Sequence, residues 1–195
     1  MPVTPGRFLH PEGIATDLAG NVVVADTLND RIQVLSAETG EPLLVFGRAG
    51  NGAGEFHHPA GVAVEAETGN IVVTDTQNNR VQVFSSAGAY LKTLQHVSRR
   101  ADNLSAPHEA IVLPGIGMVI TDMMNDRLVG GTEGTALDSW SELQVEGLPL
   151  RRPHGLAFDR VMGLLYVADT GNHRVVAIPT ELFGGAGASL VLRLP

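Results

Sequence analysis

The sequence of 195 residues contains no cysteine, and this absence excludes several classes of protein. Without thiols there is no disulfide framework, no thiol nucleophile and no zinc site built on thiolates. No apolar run approaches the roughly 18 residues that a membrane-spanning helix needs. The first ten residues also lack the charged and then apolar order of a secretory signal. We therefore predict no signal peptide and no transmembrane segment, in a protein that is cytoplasmic or of unknown compartment.

Positive charge and aromatic side chains are also scarce. Lys92 and twelve arginines supply all the basic charge, and the net charge is −8. Binding to a phosphate backbone needs basic residues that displace counterions, so the composition disfavours a nucleic-acid partner. Aromatic residues make up 5% of the chain, whereas glycines and prolines number 23 and 11. This balance is typical of short strands joined by many turns.

A six-residue pattern that begins with aspartate and ends with arginine occurs four times. The copies occupy 26–31, 75–80, 122–127 and 169–174, and their aspartates stand 49, 47 and 47 residues apart. A proline opens each unit upstream of the pattern: Pro11, Pro59, Pro107 and Pro153. A period of this length indicates a repeat architecture.

Each unit contains four short apolar runs, which predict four strands. The first run follows the proline, the second and third flank the aspartate-to-arginine turn, and the fourth closes the unit. These runs are too short to form a helical stripe, and four strands per period are typical of a β-propeller blade. We therefore predict an all-β chain, a propeller or partial propeller over 1–195, with four-stranded antiparallel blades at about 8–48, 56–95, 104–146 and 150–195. The fourth strand is predicted at 140–145 in the third blade and at 190–192 in the last.

The second unit shows the fullest form of the pattern. It reads Pro-x-Gly-Val-Ala-Val and then Gly-Asn-Ile-Val-Val-Thr-Asp-Thr-x-Asn-x-Arg-Val-Gln-Val-Phe. This pattern resembles the NHL repeat, and the linker at 52–59 resembles the join between NHL blades. All four units match, so the resemblance covers nearly the whole chain. It implies a propeller fold that usually has six blades, of which this chain supplies four.

Three arrangements of the four blades remain open. The blades close as a four-bladed propeller, form an open arc that dimerises, or belong to a larger ring. An open monomer is the least favourable arrangement, because an unpaired blade face exposes apolar surface. Self-association to complete a propeller is therefore one of the predicted interactions.

The aspartate and arginine of each repeat are predicted to be structural. They face each other across the turn between the second and third strands, where a charge-assisted hydrogen bond would fix the turn. A residue pair that occurs in all four repeats is expected to support the structure that all four blades share. We therefore assign a structural role to eight residues: Asp26, Arg31, Asp75, Arg80, Asp122, Arg127, Asp169 and Arg174.

Differences between the repeats indicate a binding face. The residue after the proline is Glu12, Ala60, His108 or His154, and arginine pairs lie upstream of the two histidines. The start of the first strand and the turn after the second strand share one end of a meander, because strand direction alternates. Guanidinium and imidazole groups there would bind a carboxylate or phosphate group. The predicted binding face is Arg99, Arg100, His108, Arg151, Arg152 and His154.

The NHL resemblance implies a non-catalytic scaffold that presents this face to a protein or peptide partner, with no cofactor. The sequence shows neither the spacing of a serine–histidine–aspartate triad nor a glycine motif that binds phosphate. It therefore does not support nucleophilic hydrolysis or nucleotide binding. An RNA-binding NHL module is an alternative, which the shortage of basic charge disfavours.

A metal-dependent enzyme is the other alternative. The Pro-His pairs that contain His108 and His154 resemble the zinc-binding motifs of peptidyl-hydroxyglycine amidating lyases, which implies that both histidines hold zinc or calcium. The resemblance fails at the turns 76–78 and 123–125, which lack the tyrosine and arginine of those lyases. The sequence also shows no third histidine for the site.

Overall fold

The computed structural model describes residues 4–97, 102–131, 138–139, 144–145, 148–183 and 192–193. Contacts between residues divide the chain into two compact units, Met1–Gln95 (unit 1) and His96–Pro195 (unit 2). Over the described ranges the regular structure consists of β-strands and short 3₁₀ turns, without an α-helix. The prediction of an all-β chain is therefore confirmed.

Unit 1 contains two four-stranded antiparallel sheets, each with its strands in sequential order. Blade 1 consists of β1 (Pro11–Thr16), β2 (Val22–Asp26), β3 (Arg31–Leu35) and β4 (Pro42–Phe46). Blade 2 consists of β5 (Pro59–Val64), β6 (Ile71–Asp75), β7 (Arg80–Phe84) and β8 (Tyr90–Leu94). A 3₁₀ turn joins the second and third strands of each blade, at Thr27–Asn29 and at Thr76–Asn78.

Unit 2 contains two more such sheets and two short strand pairs. The first short pair is β9 (His96–Val97) with β10 (Asp102–Asn103). Blade 3 consists of β11 (Pro107–Leu113), β12 (Gly117–Asp122), β13 (Arg127–Gly131) and β14 (Asp138–Ser139). The second short pair is β15 (Gln144–Val145) with β16 (Leu148–Pro149). Blade 4 consists of β17 (Pro153–Asp159), β18 (Leu164–Asp169), β19 (Arg174–Pro179) and β20 (Leu192–Arg193).

The fourth strands of blades 3 and 4 differ from their predicted positions. In blade 3 the strand is β14, which pairs with Val129 and Gly130. The prediction over 140–145 was wrong where the structure describes that segment, because β15 pairs with β16 instead. In blade 4 the pairing strand is β20, which includes Leu192 of the predicted run. Residues 140–143, 190 and 191 lie outside the described residues.

Each unit has its own hydrophobic core between its two blades. The β-branched residues of the middle strands supply most of it, as expected for strands buried on both faces. The core of unit 1 consists of Val23, Ala25, Ile32, Val34, Phe56, Val62, Ile71, Val73 and Phe84. The core of unit 2 consists of Leu113, Val119, Leu128, Leu150, Leu165, Val167, Val176 and Ile178.

The inner strands of unit 1 approach each other closely at Gly13. A Cβ atom built on this residue would lie 2.4 Å from the carbonyl oxygen of Ala60 in β5. No side chain fits at that distance, so glycine at this position is a packing requirement of the blade junction.

All four blades begin with the same unusual backbone. The residue before the opening proline has a positive φ: 54° at His10, 51° at His58, 47° at Ala106 and 45° at Arg152. A β-bulge follows each of these prolines, before the regular pairing resumes three residues later. Bulges re-aim side chains and are enriched next to functional sites. The residue after each proline therefore lies in a locally irregular segment, and in unit 2 that residue is a histidine.

Candidate binding face at the blade starts of unit 2

The first strand and the turn after the second strand meet at one end of each blade of unit 2. Pro107 lies opposite Asp122, and Pro153 lies opposite Asp169 in the strand register. The 3₁₀ turns Met123–Asn125 and Thr170–Asn172 lie at the same end. We call this end of unit 2 the turn face.

The repeat aspartates and arginines form buried ion pairs beneath these turns. In each blade the arginine Nε donates to an aspartate oxygen: 2.7 Å in blades 1 and 2 and 2.6 Å in blades 3 and 4. The four aspartates are 0% exposed. The other carboxylate oxygen accepts a backbone N–H from the segment before the blade, donated by Leu9, His57, Ser105 and Arg151 respectively. This closed, buried network favours the structural role predicted for all eight residues.

Two glutamines extend this network in unit 1, and the sequence analysis missed them. Gln33 is fully buried, donates to Asp26 at 2.9 Å and to the carbonyl of Arg7, and accepts from Gly6. Gln82 makes the matching bonds in blade 2. Each stands two residues after the repeat arginine, so its side chain lies on the same face of the strand. The glutamine at the same spacing from the arginine in both blades was the sequence signal that could have identified these two residues.

The structure brings His108 and His154 together on the turn face. Each is the first residue after the blade-opening proline, and their rings stack with centroids 4.3 Å apart at 29° between planes. The Thr121 hydroxyl connects the strands beneath them, since it donates to the His154 carbonyl at 2.9 Å and accepts from the Glu109 N–H at 2.9 Å. Two imidazoles from adjacent blades are therefore held side by side.

Two of the predicted arginines lie beside this imidazole pair in sequence and are exposed. Arg151 accepts a hydrogen bond from Gly171 N–H at its carbonyl, at 2.8 Å. The backbone N–H of Arg152 donates to Asp126 at 2.7 Å, which joins blade 4 to the turn of blade 3. Both bonds use backbone atoms of the arginines. The predicted Arg99 and Arg100 lie outside the described residues.

The equivalent positions in unit 1 have different chemistry. Glu12 and Ala60 follow the prolines there, and His10 Nδ1 lies 3.2 Å from the Glu12 carboxylate. His57 and His58 pack edge to face with centroids 5.2 Å apart. The stacked imidazole pair beside an arginine doublet is thus found in unit 2 and not at the corresponding positions of unit 1.

The described residues do not complete a metal site at these histidines. No group of three histidine, aspartate or glutamate side chains that could hold a metal ion occurs among the residues that the structure describes. A catalytic zinc ion usually has three protein ligands, and His108 with His154 supplies two. The zinc or calcium alternative therefore remains a prediction from sequence.

No helix among the described residues is both long and apolar enough to cross a membrane.

Four-stranded antiparallel meanders, repeated in each unit, define the chain as a protein of β-propeller blades. The NHL repeat family model matches residues 56–84 and 150–178, which cover the core of blades 2 and 4. The chain therefore contains NHL repeats, and the resemblance predicted from the sequence motifs is confirmed at these two positions.

Solved structures of propeller proteins resemble the chain over nearly its whole length. A nidogen/laminin complex matches 95% of this chain and 67% of that chain, with 25% identity and a TM-score of 0.73. A catalytically inactive virginiamycin B lyase from Staphylococcus aureus with quinupristin matches 95% of this chain, with 13% identity and a TM-score of 0.68. A gluconolactonase from Xanthomonas campestris matches 97% of this chain, with 18% identity and a TM-score of 0.70.

The chain spans 55% of the length of the virginiamycin B lyase and 63% of the length of the gluconolactonase. The likeness to these two enzymes shows the fold alone. No curated protein matches the sequence.

Proposed function

We propose that the turn face of unit 2 is a binding platform for an acidic segment of a protein or peptide partner. The observation that carries the proposal is the stacked pair of His108 and His154 next to the exposed Arg151 and Arg152. The inner strands β11 and β17 position the imidazoles, and the two exposed arginines lie just upstream of His154. This combination offers charged hydrogen-bond donors to an anionic ligand.

The chemistry of these side chains selects carboxylates. A guanidinium group presents a planar fork that matches a carboxylate, and charge-assisted hydrogen bonds of this type are about twice as strong as neutral ones. The net charge of the chain is −8, so this group of basic side chains contrasts with the rest of the protein. An acidic peptide would be attracted to this face and repelled elsewhere.

Among the similar structures, the nidogen/laminin complex supports a protein partner, since it holds one protein bound to another. The lyase and the gluconolactonase show that the same fold also occurs in enzymes. Fold alone does not decide function, so the proposal depends on the side chains of the turn face.

Charge reversal with a matched control tests the platform. The probe is a fluorescein-labelled glutamate-rich peptide, and binding is measured by fluorescence anisotropy. Arg152→Glu should weaken binding about tenfold, because it replaces an attraction by a repulsion at the site. Arg160→Glu makes the same change in charge at the opposite end of β17, in the exposed hairpin, and should leave binding nearly unchanged.

Equal effects of the two reversals would refute the assignment, because they would show a response to net charge alone. Circular dichroism of both variants checks that each remains folded. Elemental analysis of the same wild-type sample tests the enzyme alternative. Stoichiometric zinc that disappears in a His108→Ala, His154→Ala variant would favour a metal-dependent function over the platform.

A further inference from the structure

The linker between blades 1 and 2 contains the only asparagine in the sequence that is followed by glycine, Asn51. An asparagine in this position is prone to deamidation, because Gly52 has no Cβ atom to hinder attack of its backbone nitrogen on the asparagine side chain. Asn51 is exposed to solvent in the structure. The chain thus has a chemically labile pair in the segment that joins two blades.

The fold holds the peptide group between Asn51 and Gly52 from both sides. The carbonyl oxygen of Asn51 accepts from Arg80 Nη1 at 2.8 Å. The N–H of Gly52 donates to Glu55 Oε2 at 2.9 Å. Arg80 is 8% exposed and its Nε pairs with buried Asp75, so the guanidinium group is fixed by the repeat network. The donor and the acceptor of this peptide group are therefore both engaged.

Glu55 is itself held in place beside the Gly52 nitrogen. Its Oε1 accepts from Arg48 Nε at 3.0 Å and from Arg48 Nη2 at 2.9 Å. The linker also wraps closely around the carboxylate, since a side chain on Gly50 would overlap it. The Gly52 hydrogen bond and the Arg48 side chain lower the pKa of Glu55, which makes the carboxylate a weak base. Glu55 therefore binds the Gly52 N–H and leaves the proton on the nitrogen.

We propose that Asn51 is a deamidation site and that Glu55 restrains the reaction in the folded chain. In the reaction, the Gly52 nitrogen loses its proton and bonds to the side-chain carbonyl carbon of Asn51, and ammonia leaves. Water then opens the resulting succinimide ring at either carbonyl, which gives aspartate or isoaspartate. The Gly52 nitrogen turns toward the Asn51 side chain only when its bond to Glu55 opens, so the rate follows local opening of the linker.

Isoaspartate at this position would disturb the blade as well as the linker. It routes the main chain through the former side chain, and the carbonyl that Arg80 binds becomes part of a branching carboxylate. Arg80 also donates to the carbonyl oxygens of Gly52 and Glu55, at 2.7 Å and 2.8 Å. A longer backbone misaligns these bonds. The modified protein should therefore unfold at a lower urea concentration than the unmodified protein.

Peptide mass mapping of the full chain during incubation at mildly alkaline pH tests the proposal. Asn51 should be the asparagine that deamidates first. Glu55→Ala should deamidate at Asn51 about tenfold faster than the wild type, because a hydrogen bond to a charged group no longer holds the Gly52 N–H. Glu67→Ala is the control for the loss of one negative charge, at an exposed position, and should keep the wild-type rate. Arg48→Gln leaves the Gly52 bond in place and should have a much smaller effect than Glu55→Ala.

The same chains unfolded in guanidinium chloride give the unrestrained rate. Wild type and Glu55→Ala should deamidate equally fast there, and faster than the folded wild type. Circular dichroism checks that each variant folds in buffer. If Glu55→Ala does not fold, Glu55→Gln replaces it, and its weaker, neutral acceptor should still allow a faster reaction than in the wild type. Equal rates in the folded wild type and the Glu55 variant, or a folded wild type as fast as the unfolded chain, would overturn the proposal.

Discussion

At the scale of single residues, the buried aspartate of each repeat organises the chain around it. Asp75 accepts from Arg80 Nε at 2.7 Å, from Asn78 Nδ2 at 2.9 Å, from Gln82 Nε2 at 3.1 Å and from His57 N–H at 2.7 Å. A charge out of contact with water is tolerated only when it is paired and hydrogen-bonded. The four donors satisfy this condition.

Removal of that carboxylate should therefore be costly. We expect Asp75→Ala to lower the free energy of unfolding by about 3 kcal/mol or more, because it leaves the Arg80 guanidinium buried without its counter-charge. Urea denaturation followed by circular dichroism measures the change. Glu67→Ala, at an exposed position in the β5–β6 hairpin, is the control for the loss of one negative charge. A similar small effect of both substitutions would contradict the structural role of the pair.

The identity of single residues also determines how much of the candidate site could be predicted from the sequence. His108 and His154 could be found because they follow equivalent prolines, and strand alternation places those positions at one end of the sheet. The stacking of their rings could not be predicted, since it depends on how β11 of blade 3 packs against β17 of blade 4. Gln33 and Gln82 were missed because a glutamine in a strand gives no charge signal, although each is fully buried.

At the scale of elements, the glycine-rich linker between blades 1 and 2 holds a carboxylate of its own. Glu55 accepts from Gly52 N–H at 2.9 Å and from the Arg48 guanidinium at 2.9 Å. The Gly52 hydrogen bond first, and the Arg48 side chain second, lower the pKa of Glu55 below its ordinary range. Since the folded pKa is lowered, the contribution to stability is present above the pKa of the unfolded chain. It is lost as the pH falls through the folded value.

Carbon-13 NMR titration of the Glu55 carboxyl group tests this linker geometry. In Arg48→Gln the pKa of Glu55 should rise but stay below its ordinary range, because the Gly52 N–H bond remains. Arg160→Gln, in the β17–β18 hairpin of unit 2, is the control for the loss of one positive charge and should leave the pKa of Glu55 unchanged. An ordinary Glu55 pKa in the wild-type protein would show that the linker does not hold the carboxylate in this way.

Elements with strong local signals were the predictable ones. The aspartate-to-arginine pattern and its β-branched flanks predicted the central strands and the turn between them in every blade. The fourth strands of blades 3 and 4 have only two residues each in the described structure, β14 and β20. Such a short pairing is decided by tertiary contacts, so a run of alternating residues at 140–145 gave a plausible but wrong position.

At the scale of the whole molecule, charge argues against nucleic acid. The net charge is −8, and the guanidinium groups of Arg31, Arg80, Arg127 and Arg174 pair with buried aspartates. At physiological salt we expect a labelled single-stranded RNA to bind no more tightly than the non-specific range, about 10⁻⁴ to 10⁻⁶ M. Fluorescence anisotropy of the labelled RNA measures this binding. Submicromolar binding that weakens steeply with added salt would instead support the RNA-binding alternative.

The networks around the repeat aspartates have a consequence for synthesis of the chain on the ribosome. Every partner that the Asp75–Arg80 pair binds lies upstream of Gln82 or at it, back to Asn51. The Asp26–Arg31 pair likewise reaches back to Thr4. The contacts named here for these two pairs are therefore in place as soon as the third strand of each blade has emerged, before the next blade is made. Because these contacts stay within one blade and the linker before it, the blades of each unit can assemble in the order in which they are translated.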